Sequence, residues 1–111
     1  MRVGFTFAAF IALGVATSAH AECADFFCTN VLIERLVVYH DGDIAIATSG
    51  NESQLQCDSG IYSYIEFSRS DESYPEWYAN VLAAFANNRP ITIRMGDGTG
   101  ICKVSYIVQD A

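Results

Sequence analysis

Basic residues are scarce in this chain: six lysines and arginines stand against thirteen acidic residues among 111, a net charge of −7. No Lys/Arg cluster occurs, which argues against a nucleic-acid ligand, because phosphate neutralisation supplies most of that affinity. The same deficit disfavours anionic membrane surfaces. Histidine is almost absent, with only His20 and His40. That leaves no paired-histidine chemistry, and without a G-x-S-x-G elbow most Ser-His hydrolase schemes fall away. There is no C-x-x-C knuckle, and Asp41, Asp43 and Asp97 lack the spacing of an EF-hand loop; turn chemistry accounts for them, and no metal or other cofactor is expected. Internal repeats, linkers and low-complexity segments are missing as well.

What is present begins with a leader. Arg2 precedes an uncharged stretch containing FTFAAFIALGVA, which ends in Ala19-His20-Ala21. Together they predict a signal peptide over residues 1–21 with an A-x-A cleavage site, and hence a secreted or periplasmic protein that no longer touches a membrane once the leader is cut. Removing 21 of the 111 residues leaves 90, room for one domain over 22–111, and shifts the charge to −8 by taking one arginine and no acid. All four cysteines, Cys23, Cys28, Cys57 and Cys102, fall in that domain. An even count in a small exported chain predicts two disulfides.

Three strands are expected first. NVLIERLVVYH, residues 30–40, is rich in β-branched and aromatic residues; Asp41-Gly42 has the composition of a type I′ hairpin turn; DIAIATS, residues 43–49, alternates as the return strand. Gly50 to Ser53 form a turn or bulge, and SQLQC resumes the strand as far as Cys57. IYSYIEFS, residues 61–68, is the third strand, with Ile61, Ile65 and Phe67 on one face and Tyr62, Tyr64 and Glu66 on the other. A helix follows, started by Ser73 and Glu76 at capping-box spacing with Pro75 in the first turn, and stopped by Asn87, Asn88 and Pro90. Tyr78, Val81, Leu82 and Phe85 make its apolar stripe, with Trp77 beside it. ITIRM, residues 91–95, and ICKVSYIVQ, residues 101–109, close the chain as a hairpin around GDGTG. Mainly β with one helix, in the order β-β-β-α-β-β, is the layout of an OB-like five-stranded barrel with a helix plugging its end.

On that layout Cys57 ends the second strand and Cys102 begins the fifth, so the expected pairs are Cys57 with Cys102, tying distant strands, and Cys23 with Cys28 in a local loop. Tyr62 and Tyr64, with Tyr39 and Tyr106 as neighbours across the sheet, are the candidate ligand-binding residues. Aromatic rings on a barrel face stack bases or sugars, and the acidic charge favours sugars. A carboxylate, an imidazole and an arginine, in the persons of Glu66, His40 and Arg94, also satisfy the needs of a small secreted ribonuclease. In such enzymes, however, the helix precedes the sheet. Asn51-Glu52-Ser53 is an N-glycosylation sequon, usable where secretion passes through an endoplasmic reticulum.

The layout of leader, early cysteine, three strands, helix and two strands, and the passage YANVLAAFANNRPITIR, resemble the B subunits of bacterial AB5 toxins, those of the subtilase-cytotoxin type in particular. The resemblance implies an OB-fold, glycan binding and a pentamer around a helix-lined pore, but no sugar-contacting motif can be carried over residue by residue. It also implies a rival disulfide scheme, in which Cys23 or Cys28 ties the N-terminus to the barrel. Short side chains at Ala79, Ala83 and Ala86 agree with a homo-oligomer whose helices approach closely. A non-enzymatic binding module for a glycan, or for a partner protein as an inhibitor or scaffold, is the function expected.

Overall fold

A computed structural model describes residues 20–110; most of the expected leader lies outside the described residues. Seven strands and one helix follow in order: β1 (Glu22–Ala24), β2 (Phe27–Val31), β3 (Ile33–Val38), β4 (Ile44–Thr48), β5 (Ile65–Phe67), α1 (Tyr74–Asn87), β6 (Ile91–Met95) and β7 (Val104–Val108). They form two antiparallel sheets, β1-β2-β6-β7 and β3-β4-β5, over one core. The protein is mainly β with one helix and two disulfides, and the expected single closed barrel of five strands is replaced by two sheets.

The reason lies in the long apolar run. Asn30 sits at φ 54, in the left-handed region, and the β2–β6 register shifts between Cys28 and Val31. A bulge of this kind bends a strand. The chain therefore leaves the first sheet at Val31 and enters the second at Ile33. Between them, Leu32 exchanges bonds with Ser49: its N–H donates to the Ser49 hydroxyl at 2.9 Å, and its carbonyl accepts from the Ser49 N–H at 2.9 Å. At the opposite edge, β5 has only three residues, and it meets the chain before β7 through an isolated parallel bridge, Glu66 with Lys103. There the Glu66 N–H donates to the Cys102 carbonyl at 2.8 Å. The Cys57–Cys102 disulfide lies at this seam, where Asp58 bridges Ile101.

Several local expectations change. A β1–β2 hairpin, unforeseen, is closed by the directly opposed Cys23 and Cys28, which are disulfide-bonded. SQLQC, residues 53–57, does not resume a strand: Glu52–Gln54 form a single 3-10 turn, and Leu55 makes only an isolated bridge with Asp25. Glu52 there is buried, its carboxylate accepting from the Thr48 N–H and hydroxyl, each at 2.6 Å. The third strand shrinks to β5 because Ser63, at φ 58, turns the chain and leaves Ile61 90% exposed. The β3–β4 turn is a three-residue loop, His40 to Gly42, closed by Tyr39 and Asp43, instead of a type I′ pair: only Gly42, at φ 93, has positive φ.

Helix α1 starts after Ser73, yet no capping box forms. The Ser73 side chain makes no cap bond, and its N–H donates to the Asp71 carboxylate at 3.0 Å. Asn88 at φ 53 ends the helix, with its N–H on the Ala84 and Phe85 carbonyls. The inward stripe also differs from Tyr78, Val81, Leu82 and Phe85. Val81 and Ala84 are buried, Tyr74, Trp77 and Tyr78 pack on the core, and Leu82 and Phe85 are exposed at 40% and 42%. Large rings at the helix start set this roll: Trp77 meets Phe67 edge-on with centroids 6.1 Å apart, and the Tyr74 hydroxyl donates to the Gly42 carbonyl at 2.6 Å.

That last bond makes the hairpin dock pH-sensitive. Burial first, then the nearby Tyr78 and Asp43, push the Tyr74 phenol above its ordinary value of 10.0. The neutral form is favoured in the folded state, so this contribution to stability is complete below the unfolded phenol's pKa and is lost as pH rises through the raised one. Alkaline unfolding followed by circular dichroism should show this loss above pH 10, and Tyr74→Phe should flatten it.

Candidate functional site

The outer face of the three-stranded sheet is built by alternation. On β4, Ile44 and Ile46 point into the core, so Ala45 and Ala47 point the other way. Register sets Val37, Ala45 and Glu66 in one row across the three strands, with Arg35 opposite Ala47 in the next. Alternation along β3 carries Tyr39 onto the same face as Arg35 and Val37. Ala45 is fully buried although it alternates with the core-facing Ile44 and Ile46, and its partners in the register are Val37 and Glu66. The result is a small-residue floor between tyrosine walls.

The walls are held in place. Tyr62 stacks on Tyr64 with centroids 5.6 Å apart and planes 28° from parallel, a geometry the turn at Ser63 permits. The Arg35 guanidinium donates to the Tyr64 hydroxyl at 3.4 Å, spanning the Ala47 row, and this bond holds its pKa above the ordinary arginine value. Tyr39 is 38% exposed. Its phenol is raised above 10.0 by burial first, then by Glu66, Tyr64 and Asp41, so these groups share one neighbourhood. Opposite charges mark the two ends: Arg35 at the Tyr64 end, Glu66 and Asp41 toward Tyr39.

Tyr106 does not join this cluster. It lies on β7 in the other sheet, opposite Arg94, which in turn is opposite Phe27. Arg94 lies over Phe27 at 5.3 Å and Phe26 at 5.9 Å, with its guanidinium on the Asp97 carboxylate at 2.8 Å and the Met95 carbonyl at 2.6 Å. Of the ribonuclease trio, His40 sits in the β3–β4 loop and Glu66 on β5, whereas Arg94 belongs to the four-stranded sheet and is already engaged. Its phosphate-binding donors are therefore directed elsewhere. Asn51 of the sequon is exposed, and its side-chain oxygen accepts from both the N–H and the hydroxyl of Ser53.

Sequence reasoning passed over Arg35, Val37, Ala45 and Ala47 as site residues. The signal was there in IAIA: alanines alternating with core isoleucines mark the face of β4 turned away from the core. Among the described residues no group of three or more His, Cys, Asp or Glu could hold a metal ion, and no helix is long and apolar enough to cross a membrane. No protein-family model, no curated protein and no solved structure matches this chain.

Proposed function

We propose that the protein is a non-enzymatic, exported binding module that holds a glycan on the face between Tyr39 and Tyr64. The observation that carries this reading is the gathering of the half-exposed rings of Tyr39 and Tyr64 with Arg35 and Glu66 on one face of the three-stranded sheet. A pyranose presents a C–H face, which suits a tyrosine ring, and a rim of hydroxyls, which needs both donors and acceptors. The fold proposed for the module is OB-like. With the β1 arm set aside and β2 and β3 counted as one bent strand, the order is β-β-β-α-β-β, and the parallel Glu66–Lys103 bridge supplies the contact between the third and fifth of these strands. A glycan array on the mature, oxidised protein tests the reading. Tyr64→Ala should weaken any hit about fivefold, in line with about 1 kcal/mol for one aromatic contact. An array with no hits would remove the glycan.

A protein partner is the second reading, favoured by Ile61 and Ile101, 90% and 56% exposed on two loops tied together by Cys57–Cys102. The module is further proposed to act as a homo-oligomeric B-type subunit, most simply a pentamer. Leu82 and Phe85 are exposed on α1, and Ala79, Ala83 and Ala86 beside them let a neighbouring helix come close. Light scattering should then give a species several times the mass of one chain, and Ala83→Arg should return it to a single chain without unfolding it. A monomer at tens of micromolar, a range spanning ordinary weak-oligomer affinities of about −6 kcal/mol, would leave α1 as a core element only.

A further inference from the structure

The tyrosine face is electrically lopsided, and the lopsidedness singles out a class of sugar. Glu66 is half-buried in the middle of the site, in the row that holds the covered Ala45. Its carboxylate makes no hydrogen bond and no ion pair with any described residue: the one salt bridge among them is Arg94 with Asp97. Lys103 lies next to Glu66 through the backbone bridge, yet its ammonium does not reach the carboxylate. A carboxylate left unpaired between aromatic rings favours a cation from outside, since ring faces and the carboxylate attract the same charge.

The surroundings reinforce this. The charged groups that act on the Tyr39 phenol are Glu66 and Asp41, both acidic. Arg35, the one cation lining the floor, is held two β3 positions beyond Val37's row, at the Tyr64 hydroxyl. The chain as a whole carries −7, which concentrates cations at its surface. An acidic sugar would bring its own carboxylate against Glu66 and Asp41. A neutral sugar would leave Glu66 with hydroxyl partners only.

Building on the glycan reading above, we propose that this face takes amino sugars, pyranoses carrying a protonated amine, with the ammonium on Glu66 beside Tyr39 and the C–H face of the ring on Tyr64. The C–H contact and Arg35, donating to ring hydroxyls, select a sugar over a simple alkylammonium. Glu66 selects the free amine over its N-acetyl form, because acetylation removes the charge and leaves only an amide donor.

Calorimetric titration of the mature, oxidised protein with four oligosaccharides of equal length tests the assignment: β-1,4-linked glucosamine, its N-acetylated form, an unsubstituted glucose oligomer and a sialylated one. The glucosamine oligomer should bind at least tenfold more tightly than the other three, and high salt should erase most of that margin. Glu66→Gln should bring glucosamine down to about the level of the glucose oligomer, and Lys103→Gln should tighten glucosamine binding. Glu76→Gln, a change on α1 away from the site, should alter nothing. Equal affinity for glucosamine and glucose would overturn the amine assignment and leave the glycan reading intact. A loss on Glu76→Gln as large as on Glu66→Gln would overturn it too, by showing a diffuse attraction to an acidic surface. If none of the four binds, both readings fall together.

Discussion

Replacing Cys57 and Cys102 together by alanine should cost about 4 kcal/mol, the largest loss available from any covalent change in this domain. The bond joins residues 45 apart in sequence, and freeing so long a loop restores entropy to the unfolded chain. Cys23 and Cys28 are only 5 apart, so their removal should cost about 2 kcal/mol on the same reasoning. A domain of this size has a total stability of roughly 5–10 kcal/mol, so the first variant gives up roughly half of it or more. The structural consequence is local. Around Cys57 and Cys102, the Asp58 N–H donates to the Gly100 carbonyl at 2.8 Å and the Cys102 N–H to the Asp58 carbonyl at 2.9 Å. Those two bonds, with the Glu66–Lys103 bridge, are what hold the sheets together at that edge. Urea unfolding measures the loss, and amide exchange at residues 58, 66 and 102 should show the seam opening first. Equal losses for the two disulfides would mean that loop entropy is not what they contribute.

Phe67→Ala is the second large effect, expected at about 3–5 kcal/mol. Phe67 is 1% exposed, lies opposite Ile44 in the register and takes the edge of Trp77. Its ring is the point at which the short strand β5, the hairpin and the helix meet, so the cavity left by truncation has three elements to relax and no single one able to fill it. Trp77 is the only tryptophan, so its fluorescence reports the event directly: the variant should show a red-shifted native emission along with a lower urea midpoint. An unchanged midpoint would mean that the ring is not part of the core.

Much of the secondary structure is legible without coordinates. YPEWYANVLAAFAN announces a helix, and Asn88 supplies its left-handed stop, because apolar spacing and cap chemistry are local. IAIAT and ITIRM alternate as strands for the same reason, and Ile44, Ile46, Ile91 and Ile93 are all buried. Where the sequence misleads, the cause is non-local. Tyr78, Val81, Leu82 and Phe85 have faultless helical spacing, but Trp77 and Tyr74 find distant partners in Phe67 and in the Gly42 carbonyl, and the helix is rolled to suit them. Tyr62 and Tyr64 read as neighbours on one strand face; they do stack, but across a turn that the strand pattern conceals.

The acidic charge and the even cysteine count are matters of composition, and the single helix and the hydrophobic alternation are properties of short stretches, so the sequence alone determines them. Which sheet each strand joins is not such a property. One apolar run serves both sheets because Asn30 adopts a left-handed conformation and bends it; Tyr106 pairs with Arg94 on the four-stranded sheet, while Tyr39, Tyr64, Glu66 and Arg35 gather on the other. Strand pairing is chosen by the sum of contacts between distant segments, so only the tertiary structure could decide which tyrosines share a face.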